Sequence, residues 1–260
     1  MKLTMEQYIT NPMQSPVLTA IMRESMRNSY IKKFNALLLR EHGIINYFLY
    51  KDEDHNKYYA YFKIPSETIE RFYYDTIIEF TTDNNIKEAG KNLFKYNIRF
   101  YSNDPSFVYN YAYVFSRKGL FINQLADKMS QKALRDPAKE KNPANQVGYV
   151  KSIYFAYLFM KLRSFNDIDK FKAQASVLNM DNLIANVTSA DQKIGERESA
   201  GERLNKRKNI AKNKAKKEEE NKKKYSELSV KYSKKSNIIS GSKQSSMIKT
   251  TKTTKKTKRK

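Results

Sequence analysis

The first hydrophobic pattern along the chain is helical. From Pro16 onward, apolar residues recur at steps of one, three or four, and the pattern stops near Gly43. This spacing predicts an amphipathic helix over residues 16–41. Residues 1–15 precede the helix with a proline at position 12 and little periodicity. A terminal segment of this kind is often frayed, and we expect an extended arm there.

Strand-like patterns follow the helix. A polar turn of hairpin length, residues 52–56, separates the first two of them. Alternation along the third places Asp75 and Glu79 on one face and more apolar residues on the other. Four stretches rich in tyrosine, phenylalanine and isoleucine predict strands over residues 45–51, 57–64, 72–81 and 96–101.

A capping sequence marks the next helix. Asp104 can accept hydrogen bonds from the free N–H groups of a helix start, and Pro105 fits the first turn. We predict that this helix ends at Gly119. Further helical patterns cover residues 122–134 and 146–163. Together these elements predict an α+β fold, with an antiparallel sheet of about four strands packed with several helices.

The density of hydrophobic residues falls after Phe171. We therefore predict a globular, aromatic-rich domain over residues 16–171, followed by a linker or short helix over residues 172–192. Residues 193–235 have a helix-forming composition without an apolar face, and they predict a polar basic helix. The final residues, 236–260, are rich in lysine, serine and threonine, and we expect a disordered tail because they lack apolar surface.

A coiled coil is an alternative for the basic helix. One heptad position recurs from Leu204 to Tyr232, but the second position is held by polar residues before Leu228. Heptad cores need apolar residues at both positions. The pattern therefore favours a single polar helix.

Charge and aromatic residues are segregated along the chain. The 260 residues include 50 lysines and arginines against 27 acidic residues, a formal net charge of +23. Residues 191–260 hold 24 of the basic residues and 8 of the acidic ones, but only two of the 33 phenylalanines and tyrosines. A hydrophobic core can therefore form before residue 191, whereas the later residues favour contact with polyanions.

The basic C-terminal residues are the strongest functional signal in the sequence. Neutralising phosphates releases condensed counterions, so each contact adds affinity that salt removes. Arginines are few and the last 28 residues contain no aromatic residue, which argues against base reading. A solubility role and a membrane-surface role are the alternatives, and the second lacks hydrophobic anchors. The predicted nucleic-acid-binding residues are Lys206, Arg207, Lys208, Lys212, Lys214, Lys216, Lys217, Lys222, Lys223, Lys224, Lys252, Lys255, Lys256, Lys258, Arg259 and Lys260.

Motifs that would support an enzyme are missing from the sequence. It has no cysteine, no glycine-rich phosphate loop and no serine in a nucleophile elbow. His42 at a helix end and His55 in the hairpin turn fit solvated positions better than metal ligands. We expect a non-enzymatic protein with no cofactor and no metal. Asp75 and Glu79 leave a metal-dependent nuclease open, although a cross-strand ion pair with Arg99 accounts for the same residues.

Tyrosines of the predicted strands support a second hypothesis. They could form a stacking platform for single-stranded nucleic acid, as in a replication- or transcription-associated protein. Tyrosine is also a common strand residue that packs with its hydroxyl in water, and this favours plain sheet packing. The tyrosines concerned are Tyr47, Tyr50, Tyr58, Tyr59, Tyr61, Tyr73 and Tyr74.

Five short motifs of the predicted domain form a distinctive set. They are SNDPSF at 102–107, YAYVF at 111–115, KGLFI at 118–122, NP at 142–143 and GYVKSIYFAY at 148–157. With these motifs, residues 25–163 resemble small proteins of tailed bacteriophages. The resemblance implies a virion structural or assembly protein, near the portal or inside the capsid, that is present in the host cytoplasm during assembly. It carries over no functional residues.

The resemblance and the basic residues together define the expected partners. We expect nucleic acid, in the first place DNA, and other virion proteins, with self-association left open. No apolar run in the sequence is long enough to span a bilayer, so we expect no membrane partner.

Overall fold

Four antiparallel strands form most of the sheet. A computed structural model describes residues 2–12, 20–52, 54–82, 90–138, 142 and 144–240. Within these residues each strand pairs with the next in chain order, and helices pack on the sheet. The α+β prediction is confirmed, and each strand lies within one or two residues of its predicted bounds. The strands are β1 (Asn46–Asp52), β2 (Lys57–Pro65), β3 (Tyr73–Thr81) and β4 (Asn97–Ser102).

A fifth strand of two residues makes the sheet mixed. β5 (Ser176–Val177) runs parallel to β1, and the strand order is β4-β3-β2-β1-β5. Both of its residues are exposed. A strand of two exposed residues has no hydrophobic period, so the sequence did not predict it. At the opposite edge, Thr4 and Phe121 each form a single bridge with β4.

The arm predicted to be extended contains a short helix instead, α1 (Met5–Thr10). Thr4 caps its start, and its apolar side chains are buried. The hydroxyl of Tyr8 donates to the carbonyl of Gly148 (3.0 Å) and accepts from the N–H of Val150 (2.9 Å). The prediction was wrong because so short a helix depends on tertiary contacts, which no local period reveals.

Tyr8→Phe is expected to lower the free energy of unfolding by about 1–3 kcal/mol, because it leaves a buried carbonyl and a buried N–H without their partner. Urea unfolding followed by circular dichroism measures the loss. Tyr73→Phe is the matched control, since Tyr73 is half-buried and its hydroxyl has no hydrogen-bond partner among the described residues. Equal losses in the two variants would contradict the prediction.

The other helices lie between and after the strands. Short 3-10 turns occur at Leu93–Lys95 and Asn123–Lys128. Residues 236–240 of the predicted tail continue the last helix. Residues 241–260 lie outside the described residues, so disorder there stays a prediction. The helices are α2 (Ala20–Leu38), α3 (Pro105–Asn110), α4 (Ala112–Arg117), α5 (Gln131–Arg135), α6 (Lys151–Leu162), α7 (Ile168–Gln174), α8 (Met180–Asn186) and α9 (Ala190–Ser240).

Both ends of the helix predicted after Asp104 are confirmed. Asp104 Oδ1 accepts from the N–H of Ser106 at 2.8 Å. Gly119 has a φ of +69°, the left-handed conformation that commonly follows a helix end. Between these ends the chain leaves the helical conformation at Tyr111, where φ is −129°. One predicted helix is therefore two, α3 and α4.

Two other predicted helices are shorter than expected. The pattern over residues 122–134 corresponds to a 3-10 turn and α5 rather than to one helix. The pattern over residues 146–163 becomes helical only at Lys151. Before that point Tyr149 is tied to another part of the chain, because its hydroxyl donates to the carbonyl of Ile9 at 2.7 Å.

One face of the sheet packs against α6. The ring of Phe159 on α6 lies 5.4 Å from that of Tyr47 and 5.9 Å from that of Phe62. α2 packs on α6 in turn, with the rings of Phe34 and Phe155 5.7 Å apart. These layers form one continuous hydrophobic core with the sheet.

Residues 172–192, predicted as a linker or short helix, cover the opposite face. They contain β5 and α8, so the short helix is present, but the segment is not a linker. Leu183 and Val187 are buried in the core. The hydroxyl of Tyr61 on β2 donates to the carbonyl of Asn186 at 3.2 Å. The sequence did not predict this attachment, because the partner residue Tyr61 lies more than 100 residues earlier along the chain.

The chain divides into two units after Glu202. The first, Met1–Glu202, contains the sheet, α1 to α8 and the first turns of α9, and we call it the folded unit. The second is Arg203–Lys260. Its described part, residues 203–240 of α9, we call the basic segment.

Candidate nucleic-acid interface and polar cleft

Ten of the predicted nucleic-acid-binding residues lie on the helix of the basic segment. The lysines among them are all exposed. The other predicted residues, between Lys252 and Lys260, lie outside the described residues. The ten are Lys206, Arg207, Lys208, Lys212, Lys214, Lys216, Lys217, Lys222, Lys223 and Lys224.

These cations surround the helix instead of forming one stripe. Successive residues turn by about 100° and rise by about 1.5 Å. Lys206 and Lys224 therefore share one side of the helix, while Lys208 and Lys222 lie on the opposite side. Over about 27 Å of helix, the ten cations are offset only by the three glutamates 218–220. A helix charged on all sides can meet a polyanion in any rotational setting, so its charges provide no means of reading sequence.

Pairing within the basic segment neutralises little of this charge. Lys223 and Glu219 form an ion pair at 3.7 Å, with both side chains more than 70% exposed (73% and 72%). Exposed pairs of this kind contribute about 0–1 kcal/mol. A phosphate can therefore compete for Lys223 at small cost.

Glu79 on β3 is fully buried beside Arg99 on β4. The two residues are directly opposite in the register of the strands. Arg99 Nη1 lies 3.3 Å from Glu79 Oε1, and the hydroxyl of Tyr59 donates to Oε2 at 2.8 Å. The predicted cross-strand ion pair is confirmed for Glu79.

Asp75 is held by neutral donors rather than by Arg99, and the predicted pairing is wrong for this residue. Its Oδ1 accepts from the hydroxyl of Tyr61 at 2.8 Å. Its Oδ2 accepts from Nδ2 of Asn103 at 2.9 Å and from the N–H of Thr188 at 3.0 Å. The bond from Thr188 connects the sheet to the segment after α8. The sequence offered no sign of this bond because Thr188 is distant from Asp75 along the chain.

Burial excludes most of the predicted tyrosine platform. Burial raises the pKa of Tyr59 and Tyr61 well above 10, and the neighbouring carboxylates raise it further. Their hydroxyls therefore stay protonated and donate to Glu79 and Asp75. A nucleic-acid base cannot stack on a ring inside the core, so the platform is wrong for the four buried tyrosines, which are Tyr58, Tyr59, Tyr61 and Tyr74.

The two histidines pair with nearby carboxylates. His55 Nδ1 lies 2.9 Å from Asp52 Oδ1 in the hairpin turn. His42 Nε2 lies 2.8 Å from Glu70 Oε1. Within the described residues, no group of three or more histidine and acidic side chains is placed to hold a metal ion.

The folded unit also contains an open cleft of about 800 Å³, which we call the polar cleft. The loop after β2 and the starts of β3, α3 and α6 contribute to its walls, together with α5 and the first turns of α9. Its charged and aromatic wall residues include Glu67, Asp104, Tyr109, Lys132, Lys151 and Arg197.

Charges of both signs face one another across the polar cleft. Lys151 Nζ lies 2.8 Å from Glu67 Oε2. Burial raises the pKa of the Asp104 carboxyl above its usual range, while Lys151 and, to a lesser extent, Arg197 act in the opposite direction. Within the described residues, neither Lys132 nor Arg197 forms an ion pair.

Sequence reasoning identified Asp104 as a helix cap and missed the polar cleft. The wall residues run from Ser66 to Arg197 along the chain. They have no common spacing, and the two cations Lys132 and Arg197 are ordinary residues of polar helices. Only the folded chain brings them together.

Comparisons with known proteins identify no relative. No protein-family model, curated protein or solved structure matches the chain. The resemblance to tailed-phage proteins therefore stays a prediction. Within the described ranges, no helix combines the length and the hydrophobicity needed to cross a bilayer.

Proposed function

We propose that the chain is a non-enzymatic structural or assembly protein that contacts nucleic acid, without sequence specificity, through the basic segment. The supporting observation is the ring of exposed lysines around one helix between Lys206 and Lys224. The folded unit docks on protein partners in this proposal, and the basic segment touches packaged or nascent DNA. The proposed setting is a tailed-phage virion.

The electrostatics of the basic segment account for this mode of binding. Duplex DNA carries one negative charge per about 1.7 Å of axis, and a cation that neutralises a phosphate releases a condensed counterion. The basic segment carries net positive charge at a little under half of that linear density, about one charge per 4 Å between residues 206 and 224. Affinity should therefore depend steeply on salt and weakly on base sequence.

A salt titration of the intact chain tests the proposal. We expect fluorescence anisotropy with labelled duplexes of about 30 base pairs to yield the association constant. Its logarithm should fall linearly with the logarithm of the salt concentration between about 50 and 200 mM. With six or more phosphate contacts, the association constant should fall by about 1,000-fold over that range. Duplexes of unrelated sequence should bind alike. Absence of binding at about 50 mM salt would exclude the proposed function.

The virion assignment has a separate test. The tagged chain, recovered from its native source, should carry capsid or portal proteins with it after nuclease treatment. Recovery with a polymerase or a transcription complex instead would assign the same electrostatic contact to replication or transcription. The two experiments are independent, because the salt titration concerns the contact and the recovery concerns the assembly.

A further inference from the structure

The polar cleft is lined by cations from three different helices. Lys151 is paired with Glu67 at 2.8 Å. Arg197 acts on the hydroxyl of Tyr74 and on the carboxyl of Asp104, but neither it nor Lys132 forms an ion pair within the described residues. The two come from different helices, α5 and α9, and line the same cleft. From this convergence we propose that the polar cleft is a binding site for a phosphomonoester of nucleotide size. The lining residues all belong to the folded unit, and the site does not rest on the function proposed for the basic segment.

The cleft walls supply the neutral donors that a phosphate group needs. Thr68 and Ser106, which carry hydroxyls, and Asn110, which carries a side-chain amide, line the cleft. Phosphate oxygens accept from such groups as well as from lysine and arginine, and charge-assisted bonds are the stronger ones. Lys132 and Arg197 therefore provide the attraction, and the neutral groups complete the set of donors.

The size of the cleft and its aromatic wall indicate a ligand larger than phosphate. A volume of about 800 Å³ falls in the range of sites for organic ligands of nucleotide size. Tyr109 lines the cleft with 58% of its surface exposed. An exposed aromatic ring is a stacking surface for a nucleobase. The ring is the part of the site that distinguishes a nucleotide from a bare sugar phosphate.

Asp104 limits how the ligand can lie. The residue is 5% exposed, and its Oδ1 accepts from the N–H of Ser106. Its other carboxylate oxygen accepts no hydrogen bond from the described residues. That oxygen repels a phosphate and accepts from a hydroxyl or amino group. A nucleotide satisfies both conditions when its phosphate lies towards Lys132 and Arg197 and a ribose hydroxyl or base amino group lies towards Asp104.

Isothermal titration calorimetry of the full chain tests the site with adenosine monophosphate, adenosine, ribose 5-phosphate and inorganic phosphate. Adenosine monophosphate should bind at least about tenfold more tightly than each of the other three, because it alone combines both contacts. No binding of adenosine monophosphate, or an affinity equal to that of adenosine or of inorganic phosphate, would overturn the proposal.

Matched variants separate the cleft from the general charge of the protein. The double variant Lys132→Gln and Arg197→Gln should weaken adenosine monophosphate binding by about tenfold or more. A control double variant, Lys206→Gln with Lys208→Gln, removes the same charge from the basic segment. It should change the affinity for adenosine monophosphate by less than about twofold. Both pairs are exposed, so circular dichroism should show a folded protein in each case. Equal effects of the two pairs would overturn the proposal.

A phosphomonoester can be a free nucleotide or the 5′ end of a strand. A trinucleotide with a 5′-phosphate that binds more tightly than adenosine monophosphate, and loses this advantage without its phosphate, supports the site with a strand end as the ligand. If adenosine monophosphate instead binds more tightly than the phosphorylated trinucleotide, the result supports the site with a free nucleotide as the ligand. Equal binding of the trinucleotide with and without its phosphate, with adenosine monophosphate inactive, would overturn it.

Discussion

Replacing the ten basic residues between Lys206 and Lys224 by glutamine is expected to weaken DNA binding about 100-fold or more at about 50 mM salt. The slope of the logarithm of the association constant against the logarithm of salt concentration should be roughly halved in magnitude, because each lost phosphate contact removes about 0.9 from that magnitude. The basic residues after position 224 remain, including those between Lys252 and Lys260, and they account for the residual slope. Glutamine is a good helix former, so α9 should persist. Anisotropy with one duplex at several salt concentrations measures both quantities.

A smaller matched pair of variants separates position from total charge. Replacing three lysines of the basic segment by glutamine should lower the affinity for DNA clearly more than replacing three lysines elsewhere. The first set is Lys222, Lys223 and Lys224, and the second set is Lys32, Lys33 and Lys161. All six lysines are exposed, but the second set belongs to the folded unit. Replacing the glutamates 218–220 by glutamine should raise affinity, since it removes negative charge from the same helix. Equal losses from both lysine sets would mean that net charge, and not the basic segment, determines binding.

Asp75→Ala is expected to lower the free energy of unfolding by about 3–5 kcal/mol. The substitution removes an acceptor from three donors, the hydroxyl of Tyr61, the amide of Asn103 and the N–H of Thr188. Tyr61 and Asn103 keep a backbone carbonyl as a second acceptor, whereas the N–H of Thr188 loses its partner. The substitution also removes the contact that joins β3 to the segment after α8. Urea unfolding followed by circular dichroism or tyrosine fluorescence measures the change.

Asp191→Ala is the control for this substitution, because Asp191 is exposed and should change stability by less than about 0.5 kcal/mol. Asp75→Asn should lie between the two, since an amide can replace only part of the carboxylate's acceptors. A fully stable Asp75→Ala protein would contradict the structural role. Loss of magnesium-dependent cleavage in a stable Asp75→Asn protein would support the nuclease alternative instead.

The sequence by itself determined the features that depend on neighbouring residues. Alternation along β3 placed Asp75 and Glu79 on one face of the strand. Asp104 and Gly119 act at helix ends through bonds to residues a few positions away. The separation of aromatic residues from lysines likewise follows from composition. Such features persist in any tertiary arrangement because they are local.

Tertiary structure alone decided the features that join distant parts of the chain. α1 is held by bonds from Tyr8 to residues 148–150, and the donors to Asp75 include Thr188. The polar cleft brings Lys132, Arg197 and Asp104 into one set of walls although they are distant along the chain. Each of these residues is unremarkable in its own sequence context. Their roles come from long-range packing, which hydrophobic periods and capping patterns do not encode.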